Sequence, residues 1–298
     1  MDTQRNTNRD ENTYPDETVL PFGGESMVGS GTMGSVLVVE SVRKRYSRGG
    51  PWVLDGVDLT VEPGVITVLV AGNGVGKSTL LRIVAGASLP TSGRVVGRPR
   101  VVGYVPERAP TAMRMTARQY LSHIGRMRGM SPGEVASRID SLASRLELVP
   151  GADVPISSLS KGNGQKVAVM QAFLVPPELL VVDEPATGLD ATATAELTRL
   201  MLEAEQDGAA ILMSAHQSAV PAGGRLFRLS AGRIAAEVGR GMRVTLRATK
   251  SGLSIKDFAG LADVLIEEPG QVMLHTDEPD KLLLRALPEG WSLVEAKP

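Results

Sequence analysis

The chain has no cysteine among its 298 residues. Disulfides, thiolate metal sites and thiol nucleophiles are therefore excluded. Aromatic side chains make up only 3% of it, so its core must be aliphatic, and Val, Leu and Ala are abundant enough to build one. Long apolar runs are also lacking, and none reaches the ~18–20 residues that a membrane-crossing helix requires. There is no excess of one charge. A formal net charge of −1 argues against a general nucleic-acid binder, whose affinity rests on neutralising phosphates. The opening MDTQRNTNRDENTYPDE has neither the apolar region of a signal peptide nor the basic, acid-poor character of a transit peptide. These absences predict a cytosolic protein whose membrane role, if it has one, comes through a partner. The length allows one large domain or two small ones.

What the chain does have is concentrated at residues 65–79. Val65 to Val70 is a short run rich in β-branched residues, as expected of a buried parallel strand. Ala71, Gly72, Asn73, Gly74, Val75, Gly76, Lys77, Ser78 and Thr79 follow. Leu80, Leu81, Ile83 and Val84 then continue as the apolar side of a helix. Strand, glycine loop and helix in this order is the context of a phosphate-binding loop. Its glycines let backbone N–H groups converge on phosphate oxygens, and the helix N-terminus adds positive potential. Lys77 reaches for the β- and γ-phosphates and the Ser78 hydroxyl for Mg²⁺. The reading is a nucleoside triphosphate site. The first glycine of the pattern is Ala71, which would cost about 1–2 kcal/mol if that position needed a left-handed backbone.

Residues 1–34 carry six acids, two arginines and one brief apolar run, Val19 to Phe22, which predicts a disordered tail. Val36–Tyr46 and Trp52–Val61 alternate like strands. Tyr46 is either a ring for stacking on adenine or an ordinary strand-end tyrosine. A strand at Val101–Pro106 leads to Glu107. Thr116 is an N-cap for a helix whose Tyr120, Leu121, Ile124 and Met127 face one way, and the Ser131–Glu134 box starts another. Nine arginines against two glutamates between Arg94 and Arg138 describe either a solvated face or a basic dock. Ser160 is the natural N-cap of a helix opening with Lys161, Gly162 and Asn163. Leu179–Val182 is a second buried strand ending in Asp183 and Glu184, a site for a water-mediated Mg²⁺ contact and for a general base. Gly188, Leu189 and Asp190 precede a further helix, and Ala210–Met213 is a third buried strand leading to His216. Arg225–Leu229 and Arg233–Val238 form a hairpin. From 241 to 298 the order β-α-β-β-α-β, with helical stretches at 254–262 and 278–286, predicts a small ferredoxin-like module.

With these motifs in place, the chain resembles the nucleotide-binding subunits of ABC transporters, from about Val36 to Arg240. The loop of Gly72 to Thr79, Leu159-Ser-Lys-Gly162, Val-Val-Asp-Glu-Pro185, Gly-Leu-Asp190 and the distal His216 stand in family order. The implied fold is an α/β P-loop ATPase with an antiparallel β subdomain and a helical subdomain over 35–240, plus the α+β module over 241–298. The implied ligands are ATP and Mg²⁺. Glu184 and His216 would serve catalysis, Ser78, Asp183 and Glu107 the metal. Ser160, Lys161, Gly162 and Asn163 would act on the ATP of a second ATPase subunit, with Asp190 communicating across that interface. Glu107, Lys161 and Asn163 depart from the family pattern, as does Ala71. The forms Tyr104-Val-Pro-Glu107 and Leu159-Ser-Lys-Gly162 look like those of exporters whose permease is a separate chain, the drug and antibiotic branch. Two other readings stay open: a soluble ABC ATPase without transport, and a nucleotide-gated regulator with little turnover.

Overall fold

The computed structural model describes residues 36–72, 74–109, 112–184, 188–215, 225–240, 242–250, 253, 258, 261–268, 270–276 and 279–297. The predicted tail, Asn73, His216 and most of the predicted helix at 254–262 lie outside the described residues.

Three sheets carry the fold. The first is antiparallel, with β1 (Leu37–Lys44) between β2 (Leu54–Val61) and β4 (Ser92–Val96). The second has six strands: β3 (Ile66–Val70), β5 (Val102–Val105), β6 (Leu179–Val182), β7 (Ala210–Ala215), β8 (Arg225–Ser230) and β9 (Arg233–Arg240), in the order β5-β6-β7-β3-β8-β9. All neighbours in it run parallel except β8 and β9, which form the predicted hairpin. Every residue of β3, β6 and β7 is buried, as continuous apolar strands covered on both faces should be. Strand β4 is missing from the sequence reading. Its residues are largely exposed, and without an alternating apolar face it leaves little periodic signal.

One core lies where Ile66, Val68, Leu180, Val182, Ile211 and Met213 meet the helices α2 (Ala117–Met127), α3 (Pro132–Arg145), α4 (Lys161–Ala172) and α5 (Ala191–Gln206). The other lies where Leu69, Val181 and Leu212 meet α1 (Lys77–Ala85) and the three-stranded sheet. Thr116 and Ser131 cap α2 and α3 as predicted, and both starts are full capping boxes, where only the one at Ser131 was expected. On α2, Leu121 is buried and Tyr120 and Ile124 are partly so, but Met127 is exposed rather than inward. Gly125 takes the inner position, because a Cβ there would stand 2.5 Å from Val135 Cγ2.

Six of the nine arginines between 94 and 138 (Arg94, Arg98, Arg100, Arg108, Arg114 and Arg126) are exposed, in keeping with a solvated face, but several of the nine also bind within the chain. Arg98 donates to the Ile83 and Val84 carbonyls at the end of α1, Arg128 to Val102 O and Arg138 to Phe173 O. Arg94 pairs with Glu40, and Arg118 with Asp140 and Asp153. Arg98, Arg128 and Arg138 thus satisfy backbone carbonyls, whereas Arg94 and Arg118 pair with acids whose own side chains are open to solvent.

The third sheet, antiparallel throughout, comprises β10 (Met242–Ala248), β11 (Asp263–Glu268), β12 (Gln271–Thr276) and β13 (Trp291–Lys297), ordered β11-β12-β10-β13. That is the strand order of a split βαβ module. Its own core joins Val244, Leu246, Val272 and Leu274 to Leu282 and Ala286 of α6 (Pro279–Glu289), with Phe258 edge-on to Trp291 at 5.6 Å.

Candidate functional site

The C-terminal ends of parallel strands gather loops at a switch in strand order. Here the loop after β3 and the loop after β6 lie either side of β7. Gly76 adopts φ 110° and caps α1, and a Cβ there would stand 2.9 Å from Val53 O, so only glycine suits this corner. Among the described residues, the left-handed non-glycine residues are Ser41, Glu147, Glu184 and Ala231. Ala71 is not one of them, so the departure from glycine there carries no backbone penalty. Lys77 is 5% exposed, and its ammonium donates to the Ala71 and Gly72 carbonyls at 3.0 and 3.2 Å. It also lies 3.4 Å from Glu184 Oε1.

Tyr46, Val53, Gly74, Gly76, Lys77, Ser78, Thr79, Glu107 and Glu184 line one cavity of about 490 Å³. This volume lies within the usual range for small-molecule sites. Tyr46 is exposed, with its hydroxyl 3.0 Å from Thr79 Oγ1 and Lys44 Nζ 5.4 Å from its ring centre. The structure thus brings Tyr46 to the rim of the glycine loop.

Asp183 is wholly buried and Glu184 borders the cavity. Ser214, in the middle strand, joins them: its Oγ donates to Asp183 Oδ1 and accepts from the Glu184 amide, both at 2.8 Å. Glu184 is held at φ 50°, a region that non-glycine side chains seldom occupy. Burial pushes the Asp183 carboxyl up, the Ser78 and Ser214 hydroxyls pull it down, and Glu107 and Glu184 add to the rise. Asp183 Oδ2 is buried without a hydrogen-bond partner. An orphan carboxylate oxygen close to the Ser78 hydroxyl is the hard oxygen set that Mg²⁺ prefers. Among the described residues no three or more His, Cys, Asp or Glu side chains could hold a metal together.

The Ser160 hydroxyl caps α4 by accepting from the Asn163 amide at 3.2 Å, and Asn163 Oδ1 accepts from Val149 N. Ser160 and Lys161 are exposed. A Cβ at Gly162 would come within 2.9 Å of the Gly188 carbonyl, so this glycine has a packing reason as well. Asp190 caps α5 through Ala193 N at 2.8 Å, and Lys166, buried on α4, pairs with it at 2.9 Å. Both contacts lie within the chain, and both hold its carboxyl below the usual range.

A loop lysine under a helix cap, with two strand-end carboxylates across the same cavity, is a combination that can be compared with known proteins. The ABC transporter family model matches residues 54–187. The zinc import ATP-binding protein ZnuC of Cereibacter sphaeroides is 40% identical over 173 residues, covering 57% of this chain and 68% of that protein. This chain belongs to the ABC transporter ATP-binding family. Such ATPases hydrolyse ATP to power transport, with Mg²⁺ as the usual companion ion. The Nod factor export ATP-binding protein I of Cupriavidus metallidurans is 33% identical over 200 residues, covering 62% of this chain and 64% of that one. Matches to curated bacterial relatives thus span about two thirds of their length. A solved ATP-binding subunit of an ABC transporter superposes with a TM-score of 0.61 at 28% identity, over 68% of this chain and 89% of that one. The relatives' names include both import and export.

Sequence reasoning missed Ser214, Gln165 and Lys166. Ser214 breaks an otherwise apolar strand, and Gln165 and Lys166 are polar residues in a helix whose stretch from Gly164 to Met170 is all buried. Those were the available signals.

Proposed function

We propose that the chain is the ATP-hydrolysing subunit that drives export through a separate membrane-spanning partner. The observation that carries this reading is the single cavity in which Lys77, Ser78, Glu107 and Glu184 meet. Gly72, Asn73, Gly74, Val75, Gly76, Lys77, Ser78 and Thr79 would hold the phosphates, and Tyr46 would stack on the base. Ser78 and Asp183, with Glu107 nearby, would hold Mg²⁺, which when bound neutralises phosphate charge. Glu184 would take the proton of the attacking water, and His216 would orient that water and the γ-phosphate. Ser160, Lys161, Gly162 and Asn163 would close on the nucleotide of a second ATPase subunit, with Asp190 beside that contact. In domain terms we assign 1–34 to a tail, 35–240 to the ATPase and 241–298 to the α+β module. No described helix is long and apolar enough to cross a membrane, which supports attachment to the inner membrane face through the partner.

Glu184→Gln tests the reading. ATP binding should persist while turnover falls about 10²–10⁴-fold, the usual contribution of a positioned base, and the ATP complex should size as a dimer. A variant with wild-type turnover that stays monomeric at all ATP concentrations would sink it. Direction needs its own assay in sealed inside-out vesicles bearing the copurified partner. ATP-driven uptake into the lumen supports export, and ATP-driven loss from it supports import.

A further inference from the structure

Glu107 reaches the cavity from a segment that has left its sheet. Strand β5 ends at Val105, and Pro106 has no amide hydrogen to offer. The side chain that holds this segment comes from α4. Gln165 is 2% exposed; its Oε1 accepts from Ala109 N at 3.1 Å and its Nε2 donates to Pro106 O at 2.7 Å. The two bonds bracket Glu107 and Arg108. A carboxamide suits the task because one planar group both donates and accepts, whereas a carboxylate cannot donate and an ammonium cannot accept. With both ends buried and paired, shifting the segment would strand a donor and an acceptor away from water.

We propose that Gln165 is a positioning residue for Glu107: it clamps the 106–109 segment to α4 and fixes where the Glu107 carboxylate stands at the cavity. The proposal rests on the reading of that cavity as the Mg-ATP site. It also ties two ends of the chemistry together. Gln165 lies five residues beyond Ser160, the cap of the same helix. In a head-to-tail pair, the helix that meets the partner's nucleotide would hold the segment facing its own.

The test uses the full-length chain with Mg-ATP and four variants: Gln165→Leu, Gln165→Glu, Glu107→Gln and the double Glu107→Gln/Gln165→Leu. Gln165→Leu should lower kcat, toward about 10²-fold if the carboxylate moves by an ångström. It should also shift the Mg²⁺ concentration for half-maximal rate in the same direction as Glu107→Gln does. On the Glu107→Gln background the same change should add less than about twofold, since residues acting through one another are not additive. Gln165→Glu keeps the acceptor for Ala109 and loses the donor to Pro106, so it should fall between. Hydrogen exchange at the Ala109 amide should quicken in Gln165→Leu.

Equal loss on both backgrounds, or a silent Glu107→Gln beside an impaired Gln165→Leu, overturns the proposal. So does unchanged Ala109 exchange in a folded Gln165→Leu. If that variant does not fold, Gln165→Glu decides, and wild-type rate and Mg²⁺ dependence there overturn the proposal. A wild-type chain with no ATPase activity would instead sink the ATPase reading, leaving Ala109 exchange to judge the clamp.

Discussion

Asp183 sits without solvent, with one oxygen unpartnered and two carboxylates adding to its field. Its carboxyl is raised above the ordinary range, so ionising it is harder in the folded chain than in the unfolded one. Stability from this group is therefore present at acidic pH and lost as pH rises through the raised value. Asp183→Asn should raise the melting temperature of the nucleotide-free protein at neutral pH, and the gain should shrink toward zero on acidification. The same variant should lose the extra stabilisation that Mg-ATP confers, and a thermal melt with and without Mg-ATP reads both. Ser214→Ala leaves the Glu184 amide and Asp183 Oδ1 short of a partner and should cost about 1–3 kcal/mol in urea unfolding. The strand, glycine loop and helix around Lys77 were legible because they are contiguous in the sequence. Ser214, Gln165 and Lys166 were not, because their partners lie tens of residues away and only packing brings them together.

Helix starts were legible from local chemistry, since a cap and the amide that donates to it lie three residues apart. Strand β4 was not, because an exposed edge beside β1 needs no apolar face of its own. Packed helix faces fall between these cases. Spacing put Met127 inward, yet the close approach of α2 and α3 at Gly125 left it outside. Gly125→Ala should destabilise by about 1–3 kcal/mol through overpacking against Val135. Asp190 belongs here too, as the cap of α5 and the partner of Lys166. Asp190→Ala should cost about 0.5–2 kcal/mol from the lost cap, measured by urea unfolding without nucleotide.

At the scale of the whole molecule, the four strands and the last helix of the C-terminal module were readable, and the β11-β12-β10-β13 order is the one expected of the predicted module, whose first helix lies outside the described residues. The order of the six-stranded sheet was not, because nothing local tells β3 to insert between β7 and β8. If the α4 cap closes on the nucleotide of a second ATPase subunit, as proposed, hydrolysis needs residues from two copies of the cassette. Ser160→Arg should bind ATP almost normally and hydrolyse none, and Lys77→Ala should be inactive for want of the phosphate contact. A random mixture of the two should recover about a quarter of wild-type activity, because half the pairs are mixed and each keeps one intact composite site in a two-fold assembly. A mixture that stays silent despite proven co-assembly would indicate that the two sites fire only together.

Lys77 adds one more consequence. Its ammonium has the Ala71 and Gly72 carbonyls and the Glu184 carboxylate around it. An arriving phosphate therefore trades places with existing partners rather than meeting a bare cation. The net attraction is the difference between two well-satisfied states, and its release loosens the tether on Glu184 at the moment a substrate is present. Lys77→Ala should on this account lower the stability of the empty protein as well as its grip on ATP.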